Sequence, residues 1–400
     1  MASSLASTSA HSLADVRDII SAVIADDSRL EVCANGTKKA LGRITDSDAV
    51  LDVSKMAGVI DYEPEELILT LRAGTPVAEV EVLLENANQM LAFEAPDYGK
   101  LLGSGHAGTI GGVMVANLSG PRRLTVGAAR DFMLGFEAVS GRGELFKSGG
   151  KVVKNVTGYD LSKLICGSFG TLAVIDEITL KTLPRPETSL SLLFPADDMA
   201  SATKMITDIF ATPHEPGSAA ILPRGVAKDA GIDMNAPITI VIRLEGIAAS
   251  VNDRAAHLMD ANSTGEMLAH NKSKILWQKI RDVDLLDGMK ADIWKVSCAP
   301  SIAADFLDKL SQQVAFDFYA DWAGGLIWLS GESGNKFGAA VRTTLGPDGF
   351  AMLMRDNADT KNLISPFQPL ATPMFELHKR VKAAFDPKSV LNFGRMHDGI

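Results

Sequence analysis

Five glycine-rich segments are the places where this chain could grip a ligand. The first is Cys33-Ala34-Asn35-Gly36-Thr37-Lys38-Lys39-Ala40-Leu41-Gly42. The second is Gly108-Thr109-Ile110-Gly111-Gly112-Val113, continuing to Asn117 and Ser119-Gly120-Pro121-Arg122, and the third is Gly127-Ala128-Ala129-Arg130-Asp131. The fourth is Val152-Val153-Lys154-Asn155-Val156-Thr157-Gly158-Tyr159-Asp160-Leu161, and the fifth runs from Gly167-Ser168-Phe169-Gly170-Thr171 to Val174-Ile175. A strand end followed by small residues exposes successive backbone N–H groups, which can form an anion-binding nest. A single glycine loop is more often just a turn. Five in order suggest a backbone pressed against a long, flat ligand.

Other chemistries have little support. No GxSxG elbow and no HExxH pair occurs, and the seven histidines are scattered. Cys33, Cys166 and Cys298 are far apart with no CxxC, which argues against a disulfide framework, a zinc site or an iron–sulfur cluster and fits a reducing cytoplasm. Gly103-Ser104-Gly105-His106-Ala107-Gly108 matches G-x-G-x-x-G. A dinucleotide site would need a strand before it and a helix after it. Pro96-Asp97-Tyr98-Gly99-Lys100 comes before, and Gly111-Gly112 sits where the helix should be. Each interior glycine costs a helix ~1 kcal/mol relative to Ala, so the match reads as coincidence. A formal net charge of −10 disfavours nucleic acid and anionic membrane as partners, so any bound anion must be held locally. No stretch of ~18 apolar residues is present to span a membrane. The N-terminus lacks the basic and apolar regions of a secretory signal.

The elements that must position these segments divide the chain in three. Residues 1–185 read as one α+β unit dense in glycine loops, after about ten small, polar, disordered residues. Leu13, Val16, Ile20, Val23 and Ile24 mark a helix over 13–26, with Ser12 as N-cap. Strands are expected over 30–34, 50–53, 67–71, 134–140, 144–147 and 172–182, and a helix opens at Thr75-Pro76 and runs to about 88. The stretch 101–130 is too glycine-broken for a helix. Pro184 and Pro186 mark a boundary. Over 186–370 a split βαβ pattern occurs twice, which predicts two ferredoxin-like halves in one antiparallel sheet with helices on one face. Residues 371–400 carry a helix at about 373–384 and then a loop-like end.

The ordered set Gly36-Thr37-Lys38, Thr109-Ile110-Gly111-Gly112, Asn117, Gly127 to Asp131, Lys154 to Asp160 and Gly167 to Ile175 resembles the FAD-binding domain of the vanillyl-alcohol oxidase and p-cresol methylhydroxylase family. Within it, these motifs are similar to those of FAD-linked 2-hydroxy acid dehydrogenases. Trp322-Ala323-Gly324-Gly325-Leu326-Ile327-Trp328 adds a likeness to FAD-binding subunits of glycolate-oxidising complexes. The resemblance covers 1–185 and, through residues 385–396, the C-terminus. It implies a two-lobed PCMH-type FAD-binding domain with a ferredoxin-like cap, and non-covalent FAD, because the loop 35–38 lacks a histidine that some relatives bond to flavin. It also implies that Asn35, Gly36, Thr37 and Lys38 wrap the pyrophosphate. Thr109, Ile110, Gly111 and Gly112 would run along the ribityl chain. Asn117, Gly120 and Gly127 would shape the same channel, Gly170, Val174 and Ile175 would meet the adenine and ribose side, and Asn392 would reach the flavin.

The implied activity is oxidation of glycolate or a similar 2-hydroxy acid, with electrons passed to a partner. A sister FAD subunit and an iron–sulfur subunit are the implied partners, and any inner-membrane association would come through that complex. Phe393 stands where relatives carry Pro, and the HxGDGNxH motif of related dehydrogenases is absent. The chain therefore has two rival readings: a flavin-carrying subunit that oxidises nothing itself, or another flavoenzyme of the same fold, such as an NADPH-linked reductase. No catalytic base is visible. Lys154 is a candidate for charge near the flavin N1–C2=O region, against a solvated strand-end lysine. His106 is a candidate for facing the ring, against a satisfied loop histidine. Lys295 is a candidate for binding a carboxylate. Cys33 and Cys166 read as small core residues, and Trp322 and Trp328 read as core packing, against one of them lining a substrate-side or partner-side surface.

Overall fold

The computed structural model describes residues 6–105, 108–151, 158–262, 264–286, 291–357 and 360–400. His106 and Lys154 lie outside them. The chain forms two compact units: Met1–Ser119, Ala128–Arg185 and Pro369–Ile400 make the first, and Gly120–Gly127 with Pro186–Gln368 the second.

In the first unit the strands Ala6–Ser9, Ala49–Asp52 and Leu30–Cys33 form a parallel sheet in that order. Residues 6–9, expected to be disordered, are thus an edge strand whose backbone groups pair with 49–52. Parallel strands need a crossover, here supplied by the helix Leu13–Ala25. Ser12 caps it, accepting from Asp15 N at 3.2 Å. Its Val16 and Ile20 pack with Leu30, Leu51, Val139, Val174, Val390 and Leu391, so the core already includes the far C-terminus. A five-stranded antiparallel sheet runs Val59–Glu63, Ile68–Arg72, Ala173–Lys181, Met133–Ser140, Leu145–Gly149. The edge strand Val59–Glu63 carries exposed Val59 and Ile60 and no clear alternation, which hid it from pattern reading. A helix also forms where the glycine pair argued against one, over Ile110–Val115. The segment Gly103 to Gly108 follows the short helix Gly99–Leu102 rather than a strand, so the dinucleotide fingerprint has no support.

The second unit is one eight-stranded antiparallel sheet. Its first half, in sheet order, is Glu266–Leu268, Thr188–Ala196, Ile238–Gly246, Ser218–Pro223. Its second half is Phe316–Asp321, Leu326–Gly331, Asp292–Cys298, Gly349–Arg355. Each half pairs its four strands in the same topological order, and they meet at Ile221 opposite Ala320. The helices Met199–Phe210, Ala248–Ala261, Pro300–Ser311 and Asn335–Leu345 bury Ile206, Val251, Phe306 and Val341 on one face against Leu192, Ile242, Val296 and Leu329. The expectation of helices on one face needs correction. The helix His270–Asp282, unread in the sequence, covers part of the other face, where Trp277 Nε1 donates to Ser191 Oγ at 2.9 Å. It buries Leu276, Trp277 and Ile280 on one side, a short apolar stripe set among charged and polar residues that keep its mean hydropathy low.

Candidate cofactor site

The strand Leu30–Cys33 ends in the loop 34–39, where Gly36 takes φ +67°. That left-handed conformation suits glycine, and it lets Lys39 N donate back to Gly36 O at 3.1 Å. Lys39 Nζ reaches Glu31 at 3.1 Å. Thr37 is buried, and Lys38 Nζ donates to Thr37 Oγ1 at 3.3 Å. Lys38 Nζ lies 3.5 Å from where a Cβ on Gly112 would sit and 2.9 Å from one on Gly108. The ammonium therefore rests against two bare glycines. Among the described residues no carboxylate forms an ion pair with it. Burial pulls its pKa from the usual 10.5 down to about 8, opposed by the more distant Asp97.

Thr109 makes the short helix possible. Its Oγ1 accepts from Gly112 N at 3.2 Å, satisfying one of the free N–H groups at the helix start. Ile110 N and Gly111 N donate to Thr75 O and Ala73 O at 2.9 and 2.7 Å. Gly111 is required by this approach: a Cβ there would stand 2.7 Å from Ala73 Cβ and 2.8 Å from Ala73 O. At the other end Val115 O accepts from Gly167 N and Phe169 N at 3.0 and 2.9 Å. The turn it holds carries Gly167, Phe169 and Gly170 at φ +93°, +53° and +71°.

Asn392 ties the C-terminal segment to both neighbours. Its Oδ1 accepts from Val32 N at 2.8 Å and its Nδ2 donates to Phe169 O at 2.9 Å. The backbone N of Asn392 donates to Leu30 O at 2.9 Å. Three residues on, Arg395 Nη2 donates to Lys38 O at 2.5 Å and Nη1 stands 3.8 Å from Glu31 Oε1. Arg395 is buried, which pulls its pKa down, and among the described residues its Nε has no hydrogen-bond partner. Behind it, Lys382 Nζ donates to Thr171 O, Asp386 Oδ2 and Leu391 O at 2.7, 2.8 and 2.8 Å. Asp386 in turn accepts from Val390 N and Leu391 N at 2.9 and 2.8 Å. This buried ion pair fastens the final segment to the first unit.

These segments enclose a cleft of about 810 Å³, open mouth included. Asn35, Gly36, Thr37, Lys38, Thr109, Gly111, Gly112, Gly170, Val174, Ile175 and Asn392 all line it. Ile110 is fully buried behind the lining. Asn117 does not line it either; at φ +49° its Oδ1 accepts from Arg130 N at 3.2 Å, ordering the neighbouring turn. Gly120 and Gly127 belong to the second unit, where Gly120 O accepts from Trp322 Nε1 at 3.1 Å and Gly127 ends the helical turn Arg123–Val126. Glu31, Cys33 and Arg395 line the cleft without having been singled out for it. The Asn-Phe-Gly-Arg run was the available signal for Arg395, but only its asparagine matched a known pattern. Chemically, the cleft offers a buried cation on a glycine floor, an unpaired guanidinium N–H, and apolar walls from Val53, Val115, Val174 and Ile175. That combination suits an anionic centre flanked by flat apolar groups.

Lys295 sits in the second unit on the strand Asp292–Cys298, directly opposite Trp328. Its Nζ lies 5.4 Å from the Trp322 ring centroid and 5.8 Å from that of Trp328. Burial and the nearby Arg123 pull its pKa down to about 8, partly offset by Asp321. Trp322 and Ala323 both hold positive φ, at +50° and +57°. Such pairs of non-glycine residues are strained and concentrate at ligand-binding places. The histidines of this unit are engaged elsewhere: His270 Nδ1 accepts from Ser189 N at 3.1 Å, and His257 stacks on His214 at 5.6 Å. Among the described residues there is no cluster of three metal-ligating side chains and no helix long and apolar enough to cross a membrane.

A family model described as an FAD binding domain matches residues 6–149. The glycolate oxidase subunit GlcE of Escherichia coli (strain K12) is 33% identical over 388 residues, covering 94% of this chain and 95% of that one. The glycolate oxidase subunit GlcD of Bacillus subtilis (strain 168) is 32% identical over 174 residues, 44% of this chain and 36% of its own length. Among solved structures, p-cresol methylhydroxylase with substrate bound superposes with a TM-score of 0.72 at 15% identity, covering 98% of this chain and 88% of that one.

Proposed function

The chain belongs to the family of the glycolate oxidase subunit GlcE and is an FAD-dependent oxidoreductase of PCMH-type fold, and from that premise we propose that it is the FAD-binding subunit of a complex oxidising glycolate, or a similar 2-hydroxy acid, to the 2-oxo acid. The observation that carries the reading is Lys38: a buried, unpaired ammonium on a glycine floor asks for an anion, and a diphosphate supplies one. The residues of the cleft fit the cofactor. Asn35 to Lys38 hold its pyrophosphate with backbone N–H groups and the Lys38 charge. Gly111 and Gly112 let the backbone come close, and Gly170, Val174 and Ile175 offer apolar and backbone contacts beside it. The amide of Asn392 is engaged by Val32 and Phe169, so it positions the walls. Bound FAD supplies a two-electron acceptor for the hydride of the hydroxyl-bearing carbon.

For the substrate, Lys295 is the proposed carboxylate partner. Its Nζ lies 5.4 and 5.8 Å from the centroids of two indole rings, and among the described residues no hydrogen bond or ion pair engages it, which suits an incoming carboxylate. Electrons then pass to a partner, proposed as a sister FAD subunit with an iron–sulfur subunit, and any contact with the inner membrane is made through them. Anaerobic glycolate added to the purified chain should bleach the flavin absorbance near 450 nm, and Lys295→Met should raise the glycolate concentration needed for half-bleaching at least tenfold with FAD content unchanged. Absence of flavin that added FAD cannot restore would remove the whole reading. A second reading has its own support. The occupied histidines of the second unit leave no evident base there, as expected of a flavin-carrying subunit whose sister performs the oxidation. Flavin that stays oxidised in this chain while the sister subunit's flavin bleaches would select it.

A further inference from the structure

Behind the cofactor cleft lies a separate cavity, entirely within the first unit. It encloses about 720 Å³, mouth included, between the turn 164–172, the helix Thr372–Phe385 and the tail 396–400. The helix is 14 residues long yet buries only Lys382, and Leu377 and Leu164 at the cavity are 41% and 38% exposed. A surface helix ordinarily buries an apolar stripe, so this face is under-packed.

The polar groups of the cavity define what it would take. Lys382 brings no free charge, because its three N–H bonds go to Thr171 O, Asp386 and Leu391 O. His378 and His397 face each other with ring centroids 5.7 Å apart. Burial holds both neutral near pH 7, His397 at about 4 with help from His378 and Arg43. Ser168 is 6% exposed, and among the described residues its Oγ has no hydrogen-bond partner. A buried hydroxyl left unpaired costs on the order of 1–3 kcal/mol, which a ligand oxygen would relieve. Among the described residues no Asp or Glu side chain lines the cavity and its one lysine is fully engaged, while the backbone oxygen of Ile400 accepts from Gly394 N at 2.9 Å.

The wall that carries Ser168 is also the wall of the cofactor cleft. Gly167, Ser168 and Thr171 line the rear cavity, whereas Phe169 and Gly170 of the same turn line the cleft. We propose that the rear cavity is an effector site for an uncharged, compact amphipathic molecule, an apolar ring or short chain bearing a hydroxyl or carbonyl oxygen, whose binding steadies the turn 167–171 and slows release of the cofactor. The coupling rests on the reading that the cleft holds FAD; the site itself does not. Coupling between sites is reciprocal, so FAD must raise affinity for the effector by the same factor that the effector raises affinity for FAD.

The test uses the full chain, with and without FAD, and four probes of one size: phenol, cyclohexanone, benzoate and benzylamine. Binding is followed by saturation-transfer NMR and FAD release by flavin fluorescence. The neutral pair should bind, and the charged pair should bind at least tenfold more weakly. Leu377→Trp, which fills the cavity from its exposed rim, should abolish binding, and Ser168→Ala should weaken it severalfold while flavin content stays normal. Saturating phenol should slow FAD release at least twofold. Equal binding of the charged probes, no binding of any probe, or binding untouched by both variants would overturn the site. Neutral binding with an unchanged FAD release rate would overturn the coupling, and failure of the apo chain to take up FAD would count instead against the cofactor reading.

Discussion

Replacing Lys38 by Met tests the cofactor site with effects of opposite sign on two quantities. Methionine keeps most of the side-chain volume and removes the charge. In the cofactor-free chain the Lys38 pKa falls from 10.5 to about 8 because the ammonium is buried. A shift of that size corresponds to about 3 kcal/mol of strain on the folded state at neutral pH. The folded state binds fewer protons than the unfolded chain between about pH 8 and 10.5. The penalty is therefore complete below pH 8 and relieved as pH rises through that window. Lys38→Met should make the FAD-free first unit more stable at pH 7, by up to about 3 kcal/mol, and flatten its stability between pH 8 and 10.5. FAD should bind the variant more weakly, since a charge-assisted contact to phosphate contributes about 2 kcal/mol, roughly thirtyfold in Kd. The wild-type Kd should also rise above pH 8, as the free amine loses its proton, and the variant's should not. Fluorescence titration of FAD from pH 7 to 9, beside thermal unfolding of the apo protein, reads both effects. A variant Kd within twofold of wild type, with the same pH profile, would refute Lys38 as the anion-holding residue.

Gly111→Ala forces a methyl group to within 2.7 Å of Ala73 Cβ, so the helix Ile110–Val115 must move off the strand end; a loss of about 1–3 kcal/mol and reduced flavin content are expected, measured by urea unfolding and the ratio of flavin to protein absorbance. Lys382→Met leaves Asp386, 1% exposed, without its counter-charge, and should cost about 3–5 kcal/mol, seen as an earlier thermal release of flavin; adding Asp386→Asn should recover part of it. Removing residues 391–400 deletes both the Asn392 bridge and the Arg395 contact to Lys38 O, and should accelerate FAD dissociation at least tenfold in a stopped-flow exchange with excess free flavin analogue.

Local chemistry in the sequence reached far into this protein. The glycine loops, the Ser12 cap and the doubled split βαβ pattern depend on interactions within a few residues, so their spacing was enough to place them. The edge strand Ala6–Ser9 was not legible because it is held by the distant strand Ala49–Asp52; Val59–Glu63 pairs with the next strand, Ile68–Arg72, but shows no alternation; and the helix His270–Asp282 carries only a short apolar stripe, Leu276, Trp277 and Ile280, among polar residues. The glycine pair at 111–112 was misread for a related reason. Propensity argued against a helix, but the backbone contact with Ala73 demands glycine there and the Thr109 cap offsets its cost.

The cleft divides in the same way. Asn35 to Lys38 and Thr109 to Gly112 announced themselves through small residues after a strand end. What only the tertiary structure decided was their company. Arg395 meets the carbonyl of Lys38 across 357 positions, and Asn392 meets Val32 across 360. Burial, not sequence neighbours, lowers the pKa of Lys38 and leaves its charge unpaired. The sequence by itself determined that the backbone would turn tightly after a strand end at these segments, because loop conformation follows from glycine and small residues. Where the charge sits, how deeply it is desolvated and which distant segment closes the wall follow from packing between segments far apart in the chain, and no local pattern encodes them.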